Sequence, residues 1–204
     1  MITSIHDLLN AQGHFPRQRF VEYFSGKQIS AIWSVTENQG TNTEQMSDSI
    51  NGGFEIITGT TFNDRSTLHF NDIGQFSPTS SIWVSEMETD STNSQLVSGL
   101  AEDNNFTNAF NIWEGIQGQT YWRVQTQAVS ATTVDSDVNF DTTSHTFRCD
   151  LQSSKVEGYL DSTLKTTNTS NLPDAGMHPI FRVGNRLASS AYTGKIKYFE
   201  VYNK

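Results

Sequence analysis

Three acidic residues are spaced along one short segment in a pattern that suits carboxylate chemistry. Glu86, Glu88 and Asp90 alternate with Met87 and Thr89, so a β-strand would project all three carboxylates from one face. Two carboxyl groups roughly 5–5.5 Å apart, in environments that separate their pKa values, can hydrolyse a glycosidic bond. The same three side chains could instead coordinate a cation or form a solvated acidic surface.

The residues before this segment favour the solvated surface. Ile82 and Val84 share the face of the three acids, so the face changes from apolar to acidic along the strand. A strand with this pattern is leaving the core towards the edge of a sheet. Asp90 also borders a Ser-Thr-Asn-Ser run typical of a loop, which indicates that the strand ends before it. We therefore expect no catalytic residues, and glycan cleavage by the three acids is the alternative.

Aromatic residues with polar neighbours suggest a second candidate surface. Trp113 is surrounded by Gly and polar residues typical of a loop rim, and exposed aromatic rings with polar neighbours suit sugar binding. In the strand pattern that follows, Trp122 and Val124 are expected to face inward and Arg123 outward. The candidate ligand-binding residues are therefore Trp113, Tyr121 and Arg123, together with Glu86, Glu88 and Asp90.

Few residues have the spacing of a metal site. The oxygen-rich segments 101–105 and 133–137 could hold Ca²⁺, although neither follows the EF-hand pattern. The single cysteine, Cys149, excludes an internal disulfide and a Cys-based zinc site. Because Cys149 alternates with Phe147 and Leu151, we expect a small core residue rather than a nucleophile. We expect no cofactor, with Ca²⁺ as the alternative.

The charge balance limits the classes of partner. The chain of 204 residues has 13 Lys and Arg against 22 Asp and Glu, a formal charge of −9. Nucleic acids and anionic membrane surfaces need clustered basic residues, so we expect neither as a partner. No apolar run approaches the roughly 20 residues of a membrane-spanning helix. The N-terminus also lacks the pattern of a signal peptide. We therefore expect synthesis in the cytoplasm without export by the general secretory route.

The elements that position these residues are short and polar. Turn signals recur at short intervals, as in a β-sandwich, and 13 Phe and 4 Trp supply the large side chains of a core. Residues 3–11 place Ile5, Leu8 and Leu9 on one helical face. We predict an N-terminal helix and arm over residues 1–17. An all-β domain, an antiparallel two-sheet jelly-roll sandwich of fourteen candidate strands, is predicted over residues 18–204.

The last third of the chain resembles the closing half of a concanavalin A-like (laminin-G/glucanase) jelly roll. The resemblance is carried by "HTFRCDLQSSKVEGYLDSTLKTT", "NLPDAGMHPIFRVGNR" and "YTGKIKYFEVYNK". The segments "RFVEYFSGKQISAIW", "TEQMSDSINGGFEIITG" and "LHFNDIGQFSPTSSIWV" resemble opening strands of jelly-roll proteins encoded among structural genes of tailed bacterial viruses. The resemblance implies the fold, and with it a role in a virus particle.

Two departures from the family pattern are informative. Retaining glucanases of this fold place Glu, Asp and Glu on one strand, with the outer pair acting as nucleophile and general acid. Here the order Glu86, Glu88, Asp90 puts the shorter acid last, and the Gly and Asp that usually flank the motif are missing. At the predicted hairpin, Ser162 follows Asp161 where such turns often carry Gly, which indicates a different or longer turn.

These observations favour a non-enzymatic structural or decoration protein of a virus particle, on the capsid or tail and in contact with host-surface glycans. The expected partners are other virion proteins, further copies of this chain and glycans, with the N-terminal helix as the anchor. Two alternatives belong to other classes: a glucanase-like glycoside hydrolase that uses Glu86 with Glu88 or Asp90, and a free-standing carbohydrate-binding module.

Overall fold

The computed structural model describes residues 19–47, 52–71 and 76–204. The whole predicted N-terminal helix and arm, residues 1–17, lies outside them. The described residues contain no helix, and hence none with the length and apolarity of a membrane span. They form fifteen strands: β1 (Arg19–Glu22), β2 (Trp33–Gln39), β3 (Thr43–Met46), β4 (Phe54–Ile57), β5 (Arg65–Phe70), β6 (Ser80–Thr89), β7 (Ser94–Ala101), β8 (Phe110–Ile116), β9 (Tyr121–Gln127), β10 (Ala131–Asn139), β11 (His145–Gln152), β12 (Val156–Leu160), β13 (Thr163–Asn168), β14 (His178–Asn185) and β15 (Thr193–Asn203).

The strands form two antiparallel sheets. The first sheet has the order β13-β12-β11-β6-β15-β4-β3, and β1 pairs with the C-terminal half of β15. The second sheet has the order β10-β9-β8-β7-β14-β5-β2. This arrangement confirms the predicted all-β sandwich. The central strands of the first sheet are β6 and β15, which pair along most of their length.

Large aromatic side chains fill the space between the sheets. Trp83 of the first sheet and Trp113 of the second are both fully buried, as are Trp122 and Phe199. The indole nitrogen of Trp83 donates a hydrogen bond of 2.8 Å to Oδ1 of Asn111, which joins the two sheets through the interior. Burial of each large apolar side chain contributes about 1.5–3 kcal/mol, so these rings supply a substantial part of the favourable free energy of folding.

One strand was not predicted. Residues 133–137, interpreted from sequence as an oxygen-rich loop, lie within β10, which pairs with β9 at the edge of the second sheet. The register shifts between Asp135 and Asn139, and Asp137 has a φ of 63°. The segment carries few apolar residues because an edge strand next to solvent buries little of its surface. Its polar composition therefore resembles that of a loop.

The hairpin between β12 and β13 also differs from expectation. Leu160 pairs directly with Thr163, so the turn has two residues, and Asp161 and Ser162 have φ values of 47° and 66°. This is the backbone of a type I′ turn, formed without glycine. The Asp161 carboxylate accepts hydrogen bonds from the backbone nitrogen of Thr146 at 2.9 Å and from Nδ1 of His145 at 2.7 Å. These contacts to β11 compensate for the unfavourable conformation.

Candidate functional site

The acidic residues of β6 lie on the outer face of the first sheet. The side chains of Glu86 and Glu88 are 40% and 29% exposed, whereas Met87 between them is fully buried in the core. The alternation predicted from sequence is therefore correct for this pair. Asp90 follows the end of β6, and its Oδ1 atom accepts a hydrogen bond of 2.9 Å from the backbone nitrogen of Thr193. Asp90 thus secures the start of β15, and two of the three acids share the strand face.

A β-bulge in β15 brings basic and aromatic side chains next to these acids. Ile196 pairs with Met87 and Tyr198 pairs with Glu86, so Lys197 is the extra residue on this strand. A bulge interrupts the strict alternation of a strand and changes the direction of the side chains around it. Lys197 and Tyr198 are both partly exposed as a result, although they are consecutive in sequence.

Two lysines of β15 bind the two glutamates. Nζ of Lys197 lies 2.7 Å from Oε2 of Glu88 and 3.5 Å from Oε1 of Glu86. Nζ of Lys195 lies 3.6 Å from Oε1 of Glu88 and 3.0 Å from Oε1 of Glu55 on β4. Glu88 is therefore placed between two ammonium groups. Since one nitrogen contacts both glutamates, the two carboxylates are held close together on one side of the sheet.

Hydrogen bonds from polar neighbours hold this charged group in place. Ser144 Oγ lies 3.0 Å from Nζ of Lys197 and donates a 3.0 Å hydrogen bond to Oε1 of Glu86. Burial raises the pKa of Glu55, but hydrogen bonds from Gln45 and Lys195 outweigh this and leave the pKa below its ordinary value. Glu55 therefore remains anionic beside Lys195, which leaves Lys197 as the principal partner of Glu88.

Two tyrosines form an aromatic surface beside Glu86. The rings of Tyr23 and Tyr198 are 5.0 Å apart, and Tyr23 is 64% exposed. They line a groove of about 490 Å³ together with Glu86 and Lys197. Burial and the neighbouring Glu200 carboxylate, which accepts the hydroxyl hydrogen of Tyr198, raise the pKa of this phenol. Tyr198 is therefore a neutral ring whose hydroxyl is already in use, so its face is the part offered to a ligand.

A second groove lies on the far side of the bulge and contains Glu88. Its volume is about 400 Å³, and its lining residues are mainly charged or hydroxyl-bearing: Glu55, Glu88, Thr89, Asp90, Thr142, Thr193 and Lys195. The aromatic groove therefore lies on the Glu86 side of the carboxylate pair, and the polar groove lies on the Glu88 side. The contribution of β15 was not predicted. The sequence nevertheless contains a signal for it, since two consecutive residues within the run Lys195 to Tyr198 break the polar–apolar alternation.

The predicted ligand surface around Trp113 is not assembled. Trp113 is fully buried, its ring packs 5.4 Å from that of Phe147, and its indole nitrogen donates to the backbone oxygen of Arg148 at 3.2 Å. The loop-rim interpretation is wrong because β8 continues to Ile116 and turns Trp113 towards the core. Tyr121 and Arg123 are on the outer face of the second sheet, on the opposite side of the sandwich from Glu86.

Arg123 is paired with a buried glutamate that the sequence pattern does not indicate. Glu114 is 4% exposed, and its Oε2 atom accepts hydrogen bonds from Nε and Nη2 of Arg123 at 2.9 and 2.6 Å. Gln125 and Gln95 donate to the same carboxylate. A buried carboxylate with four donors is a structural anchor of the second sheet, and it occupies the guanidinium predicted to bind a ligand.

Neither predicted calcium segment assembles a cluster of acids. Residues 133–137 belong to β10, and the carboxylate of Asp103 accepts hydrogen bonds from the backbone nitrogens of Asn105, Thr107 and Asn108. Within the described ranges, no group of three or more His, Cys, Asp or Glu residues could hold a metal ion. Cys149 is fully buried, and burial raises the pKa of its thiol, which confirms a core residue.

Comparison with known proteins identifies relatives in fold alone. No protein-family model matches the chain, and no curated protein matches it in sequence. A structure of endo-acting O-glycanases that initiate mucin breakdown, from human gut microbiota, has a TM-score of 0.66 at 11% identity and covers 91% of this chain and 98% of that one. The apo Crh5 transglycosylase has a TM-score of 0.64 at 16% identity, covering 91% and 84%. A β-1,3-glucanase from Mycobacterium marinum has a TM-score of 0.62 at 13% identity, covering 91% and 98%.

These structures correct the leading interpretation of the sequence. Their described activities are those of glycoside hydrolases, glucanases and transglycosylases, and nothing supports the resemblance to proteins of bacterial viruses. The expectation of a non-enzymatic virion protein is therefore wrong, and the glucanase-like alternative agrees better with the relatives in fold. At this level of identity the comparison establishes architecture alone: the chain is a two-sheet antiparallel β-sandwich similar to those of glycoside hydrolases and glucanases.

Proposed function

We propose that this protein acts on glycans by cleaving or transferring a glycosidic bond at the outer face of the first sheet. The observation that carries the proposal is the pair Glu86 and Glu88, which project from one strand face and contact the same Lys197 ammonium. Retaining glycosidases use two carboxyl groups roughly 5–5.5 Å apart, whereas inverting enzymes separate them by roughly 6.5–9.5 Å. Two acids that share one ammonium favour the shorter spacing.

The ion pairs suggest a role for each acid. Glu88 contacts both Lys195 and Lys197, so its charge is balanced as a carboxylate and it is suited to attack the anomeric carbon. Glu86 has one longer ammonium contact and a hydrogen bond from Ser144, and it lies beside the aromatic groove. In this assignment Glu86 donates a proton to the leaving oxygen and later activates the water that releases the product.

The tyrosines supply the apolar part of a sugar site. Sugar rings have apolar faces that pack on aromatic side chains, and binding sites combine such surfaces with a few polar groups. Tyr23 and Tyr198 present such a surface directly beside Glu86. The fold of the structural relatives supports the same class of ligand. The remaining charged side chains of the groove can bind the hydroxyl groups of a glycan.

Hydrolysis of a polysaccharide panel tests the proposal. The wild-type protein should either release reducing ends from at least one β-glucan, chitin-like or mucin-type glycan or transfer part of that glycan to a fluorescent acceptor oligosaccharide. Glu86→Gln should lower this rate by roughly 10²–10⁴-fold, the usual contribution of a catalytic acid or base, and Glu88→Gln, which removes the nucleophile, should lower it by at least as much. Glu157→Gln is the matched control, because Glu157 is an outer-face glutamate on β12 that pairs with Lys155 instead. An inert wild type, or activity that survives both substitutions, would reject the proposal.

A further inference from the structure

We propose that the site binds a linear glycan chain lengthwise along β15 rather than a single sugar or a branched end. This inference rests on the proposed function for the class of ligand, but its evidence is the shape of the surface. Three grooves follow one another along the outer face of this strand. Two of them are the grooves on either side of the bulge, and the third lies towards the C-terminus.

The third groove continues the line of the first two. Its volume is about 360 Å³, and it is lined by Arg19, Glu200, Tyr202 and Asn203. Residues of β15 therefore line all three grooves, from Tyr202 at one end, through Tyr198 and Lys197, to Thr193 at the other. Thr193 and Tyr202 are nine positions apart along the strand, a distance of roughly 30 Å at about 3.3 Å per residue. Each volume lies in the roughly 300–1,000 Å³ range of small-molecule sites.

Strand pairing fixes the direction of this track. Arg19 pairs with Tyr202 across β1 and β15, whereas Tyr198 pairs with Glu86 across β15 and β6. The grooves therefore repeat along the strand axis and not across the sheet. A monosaccharide would occupy a single groove, whereas an extended chain of sugars would occupy all three. The acidic pair would then act at an internal bond of the chain.

The side chains of the third groove are held ready for a ligand. Nε of Arg19 donates a hydrogen bond of 2.8 Å to Oε1 of Glu200, which fixes two of the lining residues. Asn203 is 4% exposed and accepts a hydrogen bond at Oδ1 from the backbone nitrogen of Ser77. This hydrogen bond fixes a third lining residue of the groove.

Affinity as a function of chain length tests the inference. The probes are β-1,3-gluco-oligosaccharides and β-1,4-linked N-acetylglucosamine oligosaccharides, each from disaccharide to hexasaccharide, and binding is measured by calorimetry on the full chain with Glu88→Gln to prevent cleavage. In at least one series, affinity should rise with each added sugar. Tyr202→Ala should lower the affinity for the hexasaccharide by roughly three- to tenfold, the contribution of one aromatic contact. Its effect on the disaccharide should be smaller.

Tyr159→Ala is the matched control, because Tyr159 lies on the same sheet at β12, outside the three grooves, where it contacts Arg148. It should leave the affinity of every oligosaccharide unchanged. Affinity that does not rise with length in either series, including the absence of binding in both, would overturn the inference. So would equal effects of Tyr202→Ala and Tyr159→Ala. Length-dependent binding by a protein that does not cleave glycans would uphold the track and reject the catalytic proposal.

Discussion

Nζ of Lys197 lies 2.7 Å from Oε2 of Glu88, and a β-bulge places it there. In a regular strand Lys197 and Tyr198 could not both face outward, because successive side chains alternate between the two faces and the flanking residues Ile196 and Phe199 are both buried. The extra residue lets one strand present an ammonium and a phenol side by side. Bulges are common next to active sites for this reason.

Lys197→Ala should slow turnover with little effect on folding. The ion pairs of Lys197 are partly exposed at the surface of the sheet, where such pairs contribute roughly 0–1 kcal/mol, so the free energy of unfolding should fall by no more than about 1 kcal/mol. The two glutamates would lose the group that positions them, and misplacement of this kind costs roughly ten- to a hundredfold in rate. Steady-state kinetics should show the loss in kcat, with partial recovery in Lys197→Arg. Unchanged kcat in Lys197→Ala would show that the bulge has no part in positioning the acids.

Ser162→Gly should stabilise the protein by about 1 kcal/mol. Ser162 has a φ of 66° and is exposed, and a left-handed conformation costs a non-glycine residue roughly 1–2 kcal/mol. Ser154→Gly is the control, because Ser154 is exposed in the preceding hairpin and is not among the residues with positive φ. Urea unfolding should show a gain for the first variant and none for the second. Equal effects would mean that the turn is not strained.

Stability should fall in mild acid because of His178. This residue is 1% exposed, and burial, with a smaller contribution from His69, lowers its pKa to about 4 despite the opposing effect of Asp103. The pKa of a histidine in the unfolded chain is near 6.5, so between about pH 6.5 and pH 4 the unfolded chain binds a proton at His178 that the folded chain does not bind. The contribution of His178 to the free energy of unfolding is complete above pH 6.5. It is lost as the pH falls towards 4, by up to about 3 kcal/mol.

Urea unfolding at pH 7 and pH 4.5 measures this loss. In His178→Gln the decrease in free energy of unfolding between the two pH values should be smaller than in the wild type, because the titrating group is gone. The carboxylates titrate in both proteins and therefore cancel in the comparison. The hydrogen bond between Nε2 of His178 and Oδ1 of Asn104 can be made by glutamine. If the free energy of unfolding decreased equally in both proteins, His178 would not be the source of the pH dependence.

Local periodicity explains what could be predicted from the sequence. The shared outward face of Glu86 and Glu88 and the inward face of Cys149 follow from alternation within a single strand, and both are observed. The same reasoning failed for Trp113, because it depended on where β8 ends, and the strand continues past the Gly-rich segment. Strand ends depend on pairing partners, which a local pattern does not contain.

The assembled site depends on contacts between residues that are distant in the chain. Tyr23, Glu86 and Tyr198 lie in one groove although about sixty to one hundred and ten residues separate them successively in sequence. Their proximity follows from the order of strands in the first sheet, in which β1 and β6 lie on opposite sides of β15. Nothing in the alternation of any one strand predicts that order. The hydroxyl and ammonium partners of the acids could therefore be identified only from the structure.

The most direct test of the carboxylate pair is to trap a covalent glycosyl–enzyme on Glu88. An aryl glycoside with a good leaving group reacts without acid assistance, so in Glu86→Gln the Glu88 carboxylate can displace the phenolate, but water then lacks its base. The intact mass of Glu86→Gln should increase by one glycosyl unit, and peptide mapping should place it on Glu88. The absence of an adduct, or an adduct that persists when Glu88→Gln is added, would contradict the account.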